Sequence, residues 1–315
     1  PAAGSGTLLL SMATKVGAKN CMIYSQDRSQ KSTQFLRINL ILNNLAQSLE
    51  YVIEGNTMTN PMHLDGDNLK KFDFIVSNPP FNVDFSADVE TMKADKFNRF
   101  FAGVPAIPPK KKADMAIYQT FLQHILASLK ESGKAAVVVP TGFLTLSKRS
   151  SKIAYQIREK IVEENWLRGV ISMPSNIFAT TNTNVSILFI DKTRAEEDEI
   201  ILVDASKIGK KVKLEDGQRT ILSSQDENLI VDTFKQKKVL DEFSVVVNRD
   251  KIIKNKYSFS AGQYFNVKIK YDKLSSEEFS KTVQDLTNSI CSSIDRGDAL
   301  NKQLLELLKD IQYEQ

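Results

Sequence analysis

The sequence is poor in the side chains that bind metals and cross-link chains. Its 315 residues include two cysteines, Cys21 and Cys291, too few for a disulfide framework or a four-cysteine zinc site. The two histidines, His63 and His124, exclude a histidine-rich metal centre. No window approaches the roughly 18 consecutive apolar residues of a membrane helix, and the start lacks the basic and apolar stretches of a secretory signal. We therefore expect a cytoplasmic protein with no metal and no membrane partner.

The composition is that of a soluble globular protein. Hydrophobic residues make up 42% of the chain and charged residues 25%, and a chain of this length can bury a substantial core in one large domain or two ordinary ones. The formal net charge of +4 permits contact with nucleic acid but does not by itself indicate it.

The first two-thirds of the chain alternate short apolar runs with helical patterns, which predicts an α/β fold with a mostly parallel sheet covered by helices. The predicted strands are Cys21–Ser25, Tyr51–Glu54, Phe72–Ser77, Ala135–Pro140, Leu167–Met173 and Val185–Asp191. The predicted helices are Ser29–Leu45, Ala113–Lys130 and Lys148–Glu164. The last two strands are separated only by Pro174–Asn184, which is too short for a helical crossover, so we expect an antiparallel hairpin at one edge of the sheet.

The last third of the chain changes character twice. After about Lys192, short strands at Glu199–Val203 and Phe243–Val247 alternate with lysine-rich stretches. Near the end, residues spaced alternately four and three apart form a helical a/d seam that Ser293 and Gly297 interrupt, so we expect two helices that need a partner surface and meet near Gly297. The seam residues are Phe279, Val283, Leu286, Ile290, Ser293, Gly297, Leu300, Leu304, Leu307 and Ile311.

The strongest chemical signal is the tetrad Asn78-Pro79-Pro80-Phe81, directly after the apolar strand Phe72–Ser77. Two prolines can simply end a strand, because neither donates to the ladder. The tetrad, however, stands at the carboxyl end of a buried strand, where open α/β sheets place their ligand crevices. This position favours a functional interpretation.

The tetrad suits the methylation of an exocyclic amine, whose lone pair is delocalised into its ring. The side-chain oxygen of Asn78 and the carbonyl of Pro79 can both accept hydrogen bonds from such an amine, and proline fixes the direction of that carbonyl. Two acceptors favour a more tetrahedral, nucleophilic nitrogen. Phe81 can stack on the base, and a base within a duplex must be flipped out to reach the site.

A glycine turn, Gly4-Ser5-Gly6, precedes an apolar helical pattern, where backbone can approach a cofactor closely. A tight turn without a ligand explains the same residues. About 20 residues later, Asp27 follows the next predicted strand, the arrangement that binds ribose hydroxyls. Asn56 follows the strand after that and either contacts an adenine ring or belongs to a plain turn; the sequence supports the two interpretations equally.

The order of these motifs resembles that of N6-adenine DNA methyltransferases, above all the modification (M) subunits of type I restriction-modification systems. In that family a DPxxGSGxxL motif binds S-adenosylmethionine and NPPF is catalytic. This chain matches the first motif from Pro1 through Gly6 and at Leu9, and the second in full. Other similar stretches are Ala113–Ala116, Lys134–Gly142, Gly169–Phe178, Tyr257–Ser260 and Tyr264.

The resemblance implies an S-adenosylmethionine-dependent methyltransferase (Rossmann-like) fold with a C-terminal helical extension. It implies site-specific N6 methylation of adenine in double-stranded DNA, in a complex with a specificity (S) subunit that reads the bases, a restriction (R) subunit and a second M subunit. The implied catalytic residues are Asn78, Pro79, Pro80 and Phe81. The implied cofactor-binding residues are Ala3, Gly4, Ser5, Gly6, Asp27, Asn56 and Asn78.

The sequence departs from the family pattern at two points. The acidic residue that precedes the family's proline is not present, and Asn56 stands where the family usually has aspartate. We expect the family's first sheet strand and N-terminal helical domain to precede Pro1. Within the chain we predict a catalytic domain over 1–204, a mixed α/β extension over 205–275 and C-terminal helices for subunit contact over 276–315.

Two other functions are compatible with the sequence. One is a truncated, catalytically incompetent M subunit that acts as an assembly module. The other is an amine methyltransferase for protein or RNA, which the long C-terminal region disfavours. Among single residues, we expect Asp114 to cap a helix and His124 to be a packed histidine without a catalytic role. The polar loop Thr180–Asn184 suits either phosphate contact or turn formation.

Overall fold

The computed structural model describes residues 1–178, 183–214, 217–265 and 275–309. It divides into two compact units, 1–265 and 266–315. The helices are α1 (Thr7–Val16), α2 (Gln30–Leu42), α3 (Val89–Lys93), α4 (Tyr118–Ser128), α5 (Lys152–Glu163), α6 (Ser224–Gln236), α7 (Arg249–Lys254) and α8 (Ser276–Lys309). The strands are β1 (Ser25–Asp27), β2 (Val52–Glu54), β3 (Leu64–Asp65), β4 (Asn68–Leu69), β5 (Phe72–Ser77), β6 (Leu129–Pro140), β7 (Leu167–Ser172), β8 (Val185–Asp191), β9 (Ile200–Asp204), β10 (Lys210–Leu214), β11 (Gly217–Ile221) and β12 (Ser244–Val247).

The first unit is built on a 6-stranded sheet with the order β12-β9-β7-β8-β6-β5. Strands β5, β6, β7 and β9 run in one direction, while β8 and β12 run in the other. The predicted α/β class with a mostly parallel sheet is therefore confirmed. Alternate residues of β9 face two separate cores: Leu202 packs with α4 and α5, and Ile201 packs with Phe234 of α6. Helices thus cover both faces of the sheet, as its apolar strands require.

The hairpin predicted over β7 and β8 forms, but its predicted position at a sheet edge is wrong. The two strands pair antiparallel, and β8 lies between β7 and β6 in the interior of the sheet. The short Pro174–Asn184 connection determines only the antiparallel direction. Both faces of β8 are buried, as expected of an interior strand. Ser186, Leu188 and Ile190 are buried on one face, and Val185 is buried on the other.

The predicted division between residues 204 and 205 falls within one compact unit of the structure, and the functional division stays a prediction. Residues 1–265 form one unit, and β12 pairs with β9 as the edge strand of the same sheet. The weaker sequence pattern after β9 has a local cause, because the β10–β11 hairpin and α6 form an excursion between two neighbouring strands. The lysine-rich segments belong to that excursion.

Strands β1 and β2 pair with each other in parallel, apart from the six-stranded sheet. The strand predicted at Cys21–Ser25 is displaced, because ladder pairing begins only at Ser25, opposite Val52. A cavity of about 820 Å³ separates β1 from β5, and side chains of both strands line it. They include Gln26 of β1, with Tyr24 just before that strand, and Phe74 and Val76 of β5.

Helix ends follow side-chain caps where these are present. The Ser29 hydroxyl accepts from the Ser32 amide (3.2 Å) and begins α2, and Ser151 does the same for α5 through Ala154 (3.3 Å). The predicted cap Asp114 is wrong: it lies in a separate 3-10 turn and pairs with Lys111 at 3.1 Å. The predicted extension of α4 to Lys130 is also wrong, because residues 129 and 130 already belong to β6.

In the second unit, the described residues 275–309 form one helix, α8, of 34 residues. The predicted break near Gly297 does not occur. Ile311, the last seam residue, lies outside the described residues. Among the residues that the structure describes, no helix is long and apolar enough to cross a membrane.

Candidate active site

The candidate site is assembled where the carboxyl ends of β1 and β5 meet the start of the chain. The hydroxyl of Ser77, the last residue of β5, donates to the carbonyl of Pro1 at 2.9 Å. The amide of Gly4 donates to the carboxylate of Asp27, the last residue of β1, at 2.8 Å. The predicted cofactor turn and the predicted catalytic tetrad are therefore neighbours, although more than 70 residues separate them in sequence.

The glycine turn owes its path to residues that adopt positive φ. Gly4 has φ 56° and Gly6 φ 83°, a region that favours glycine. A Cβ on Gly6 would lie 2.1 Å from Leu36 Cδ1, so α1 and α2 approach closely only because this residue is glycine. A Cβ on Gly4 would meet nothing within 4 Å. The backbone beside Gly4 is thus free to approach a ligand.

Asp27 has a structural task besides the predicted one. One carboxylate oxygen accepts from the Gly4 amide and the other from the Ser29 amide, both at 2.8 Å. Each carboxylate oxygen has a second lone pair, so these bonds leave acceptor capacity. Asp27 therefore holds the glycine turn against the end of β1, and its binding of ribose hydroxyls stays a prediction.

Asn56 follows β2, the strand paired with β1, and its side chain is held at both ends. Its oxygen accepts from the Met58 amide at 3.1 Å, and its nitrogen donates to the Asp88 carboxylate at 3.2 Å. The predicted plain turn is present, and Asn56 also reaches a charged residue that sequence reasoning missed. No sequence pattern could have identified Asp88, because the segment after the tetrad shows no clear helical or strand periodicity.

The tetrad lines a cavity of about 370 Å³ together with Asn82, Phe178 and Thr183. Pro79 is buried and Asn78 is exposed. Phe81 is half-buried and meets Tyr118 edge-on at a centroid distance of 6.3 Å, and Tyr118 in turn meets Phe143. Burial raises the pKa of the Tyr118 phenol, so this ring is a neutral wall of the site.

The two predicted acceptors of the tetrad are available to a substrate. Among the described residues, neither the Asn78 side chain nor the Pro79 carbonyl has a hydrogen-bond partner. Ser77, one residue before them, is by contrast buried and bonded. β5 is therefore followed by two free hydrogen-bond acceptors, and the hydrogen bond of Ser77 fixes the backbone just before them. Of the Thr180–Asn184 loop, residues 180–182 lie outside the described part of the chain; Thr183 lines the tetrad cavity, and the Asn184 carbonyl accepts from the Thr141 amide at 2.8 Å.

A buried cation that the sequence did not reveal supports the segment after β2. Arg99 donates to the carbonyls of Thr57 and Met58, each at 2.7 Å, and pairs with Asp95 at 2.7 Å. It also donates to Nδ1 of His124 at 3.3 Å. His124 is buried, which confirms its expected packed role. In the sequence, Arg99 resembles a surface arginine, because nothing in the neighbouring residues indicates that its side chain is buried.

The residues present fit S-adenosylmethionine. This cofactor carries a positive sulfonium centre and hydroxyl and amine donors, and the site offers the acceptors Asp27, Asp88 and Asn78 beside open backbone at Gly4. Asp27 and the 3–6 turn would hold its ribose and methionine parts, and the segment after β2 would hold its adenine ring. The described ranges contain no group of three or more acidic, histidine or cysteine residues placed to hold a metal ion.

The fold is that of an S-adenosylmethionine-dependent methyltransferase, with an Asn-Pro-Pro-Phe turn directly after β5. A family model described as N-6 DNA methylase matches residues 1–273. The chain belongs to the N-6 DNA methylase family.

Individual relatives agree with this assignment. The type I restriction enzyme MpnII methylase subunit of Mycoplasma pneumoniae is 28% identical over 99% of this chain and 55% of its own length. The MjaIX methylase subunit of Methanocaldococcus jannaschii is 25% identical over 98% of this chain and 54% of its own length. The type I restriction-modification methyltransferase subunit from Streptococcus thermophilus superposes with a TM-score of 0.69 at 23% identity, over 84% of this chain and 53% of that chain. The chain thus spans about half the length of the curated relatives it matches.

Proposed function

We propose that the protein methylates N6 of adenine in double-stranded DNA, using S-adenosylmethionine, as the modification subunit of a type I restriction-modification system. The observation that carries the proposal is the pair of free acceptors, Asn78 Oδ1 and the Pro79 carbonyl, at the end of β5 beside the glycine turn. Family membership and the names of the relatives support the same reaction.

The chain's own residues prepare the amine for attack. Asn78 and Pro79 accept one hydrogen bond each from the adenine amine, which draws its hydrogens away and leaves the nitrogen lone pair directed out of the ring plane. Phe81, backed by Tyr118, stacks on the flipped base and excludes water from one face. S-adenosylmethionine, when bound, supplies an electrophilic methyl group on sulfur. Asn78 and Pro79 would hold the amine in this orientation until the methylated nitrogen releases one proton to solvent.

Removal of the Asn78 acceptor tests this role. In the natural full-length protein with its partner subunits, Asn78→Ala should lower the rate of methyl transfer to duplex DNA by on the order of 10²–10³. Cofactor binding should fall far less than the rate, because the glycine turn and Asp27, which hold most of the cofactor, are untouched. Tritiated-methyl transfer and calorimetry measure the two quantities.

Asn78→Asp is the matched variant, since it keeps acceptor oxygens at the same position. It should retain more activity than Asn78→Ala if hydrogen-bond acceptance is the function of this residue. Near wild-type turnover in Asn78→Ala would contradict the mechanism.

We further propose that the protein acts in the cytoplasm, with a specificity subunit, a restriction subunit and a second modification subunit. Unit 1–265 carries the catalytic part in this proposal, and α8 carries subunit contact. The support for a contact role is the row of exposed apolar side chains on α8, among them Phe279, Leu286 and Ile290, which are 59–60% exposed. A helix with such a row suits packing on another helix.

A further inference from the structure

The side-chain oxygen of Asn56 is poorly placed to recognise a ligand. That oxygen accepts from the Met58 amide (3.1 Å), and the side-chain nitrogen points to the Asp88 carboxylate (3.2 Å). The backbone that follows Asn56 is fixed as well, because buried Arg99 binds the carbonyls of Thr57 and Met58. The orientation of the Asn56 side chain is thus determined from both sides.

The Asp88 side chain is bonded away from its own helix. Asp88 ends the 3-10 turn 86–88 and directly precedes α3, with helical backbone angles of φ −96° and ψ −6°. Its carboxylate caps no amide of α3; its Oδ2 accepts from Asn56, 32 residues away in sequence. Asp88 is half-buried, and among the described residues its Oδ1 has no hydrogen-bond partner.

We propose that Asp88 supplies the acceptor for the exocyclic amine of the cofactor's adenine ring, and that Asn56 holds the Asp88 carboxylate in place. The inference rests on the proposed use of S-adenosylmethionine. The ribose-binding position is Asp27 at the end of β1, and β2 is the neighbouring strand, so an adenine ring attached to that ribose extends towards Asn56 and Asp88. Asp88 then provides the negative charge that an aspartate at position 56 would otherwise provide.

The different roles proposed for Asn56 and Asp88 have an electrostatic reason. Two carboxylates at hydrogen-bond distance repel each other and cannot both stay charged without cost. Asparagine at position 56 removes that repulsion and adds a donor that binds the remaining carboxylate. One carboxylate at either position, with an amide at the other, therefore gives an equivalent site.

Binding of S-adenosylhomocysteine to the natural full-length protein, measured by calorimetry, tests the proposal without turnover. Asp88→Ala should weaken binding by about ten- to a hundredfold, the usual effect of losing a hydrogen bond to a charged acceptor. Asn56→Asp should also weaken it, whereas the exchange variant Asn56→Asp/Asp88→Asn should bind within a few fold of wild type. Glu90→Ala is the matched control, because Glu90 lies on the same helix and pairs with Lys93 at the surface.

Selectivity gives a readout that a merely structural role would not change. S-inosylhomocysteine carries an oxygen in place of the amine, so wild type should reject it relative to S-adenosylhomocysteine, and Asp88→Ala should lose that preference. Unchanged affinity or unchanged selectivity in Asp88→Ala would overturn the proposal, and so would failure of the exchange variant to recover. If wild type binds neither compound, the proposed function itself fails, and this inference falls with it.

Discussion

At the residue scale, the buried polar residues support the ligand-binding segments. The Arg99–Asp95 pair is almost fully buried, and such a pair is tolerated only where further hydrogen bonds satisfy its donors. The carbonyls of Thr57 and Met58 and the ring nitrogen of His124 provide them. The pair therefore stiffens the segment after β2, on which the proposed adenine site depends.

The same cluster predicts a pH dependence of stability. Burial, reinforced by nearby positive charges such as Arg99, lowers the pKa of His124 well below its usual range. The folded protein keeps this ring neutral, while the unfolded chain takes up a proton below about pH 6.5. The contribution of His124 is thus complete above that pH and is lost as the pH falls, by at most about 1.4 kcal/mol per pH unit.

His124→Asn checks this, because asparagine keeps an acceptor for Arg99 and does not titrate. The free energy of unfolding from urea curves should fall more steeply for wild type than for the variant between pH 7 and pH 5. Burial also lowers the pKa of His63, but His63 is common to both proteins and cancels in the difference. A difference that is constant with pH would refute the assignment.

At the element scale, α8 shows that one glycine need not end a long helix. Glycine inside a helix costs about 1 kcal/mol relative to alanine, and a Cβ on Gly297 would meet nothing within 4 Å. One such residue in a helix of 34 residues is a small cost spread over many hydrogen bonds. The seam therefore lies on one continuous helix. Its row of large apolar side chains is interrupted by the small residues Ser293 and Gly297.

The exposed seam gives a prediction about assembly. Leu300, Leu304 and Leu307 are 56–66% exposed, so replacing all three with aspartate should abolish co-purification with the specificity subunit. The melting temperature of unit 1–265 should change little. A buried core leucine would behave differently, since even a Leu→Ala change there costs roughly 2–5 kcal/mol.

The control adds the same charge on another face of α8. Asn288→Asp/Ser292→Asp/Ala299→Asp introduces three aspartates outside the a/d positions and should leave the complex intact. Retention of the complex by the Leu300/Leu304/Leu307 variant would remove the seam from the interface.

At the scale of the whole molecule, positive charge gathers beside the tetrad. The Tyr118 amide donates to the Phe81 carbonyl at 3.5 Å, and Gln119 donates to Ser151 at 3.3 Å. The second bond holds the exposed basic segment 148–152 beside the start of α4. The exposed basic segment 110–112 precedes the same helix, and the pKa of Asp84, three residues after the tetrad, is lowered by hydrogen bonds from Ser86 and by the charge of Lys112. Within the described residues, the only ion pair of these cations is Lys111 with Asp114.

We expect these cations to bind DNA phosphates. In the full-length complex, Lys110→Gln/Lys112→Gln should weaken DNA binding and reduce the slope of log K against log salt by about 0.9 for each phosphate that the variant no longer neutralises. Lys15→Gln/Lys19→Gln removes the same charge near the far end of α1, roughly 15 Å from the glycine turn by helix rise, and should leave the slope unchanged. Equal slopes in the two variants would exclude a specific phosphate site at 110–112.

Local features of the fold followed from the sequence alone. The bounds of β5 and β8 were predicted correctly, because an apolar run bounded by turn residues depends only on neighbours in sequence. The position of the tetrad directly after β5 likewise depends only on short-range pattern.

Only the tertiary structure decided which distant segments of the chain are neighbours. The insertion of β8 between β6 and β7, and the hydrogen bond of Asn56 with Asp88, join segments that no local pattern relates. Arg99 resembles a solvent-exposed cation until Asp95 and two carbonyls surround it. The physical reason is that propensity and periodicity act between near neighbours in the chain. Desolvation and hydrogen-bond satisfaction act on whichever groups the packed sheets and helices bring together, and these determine the positions of Asn56, Asp88 and Arg99.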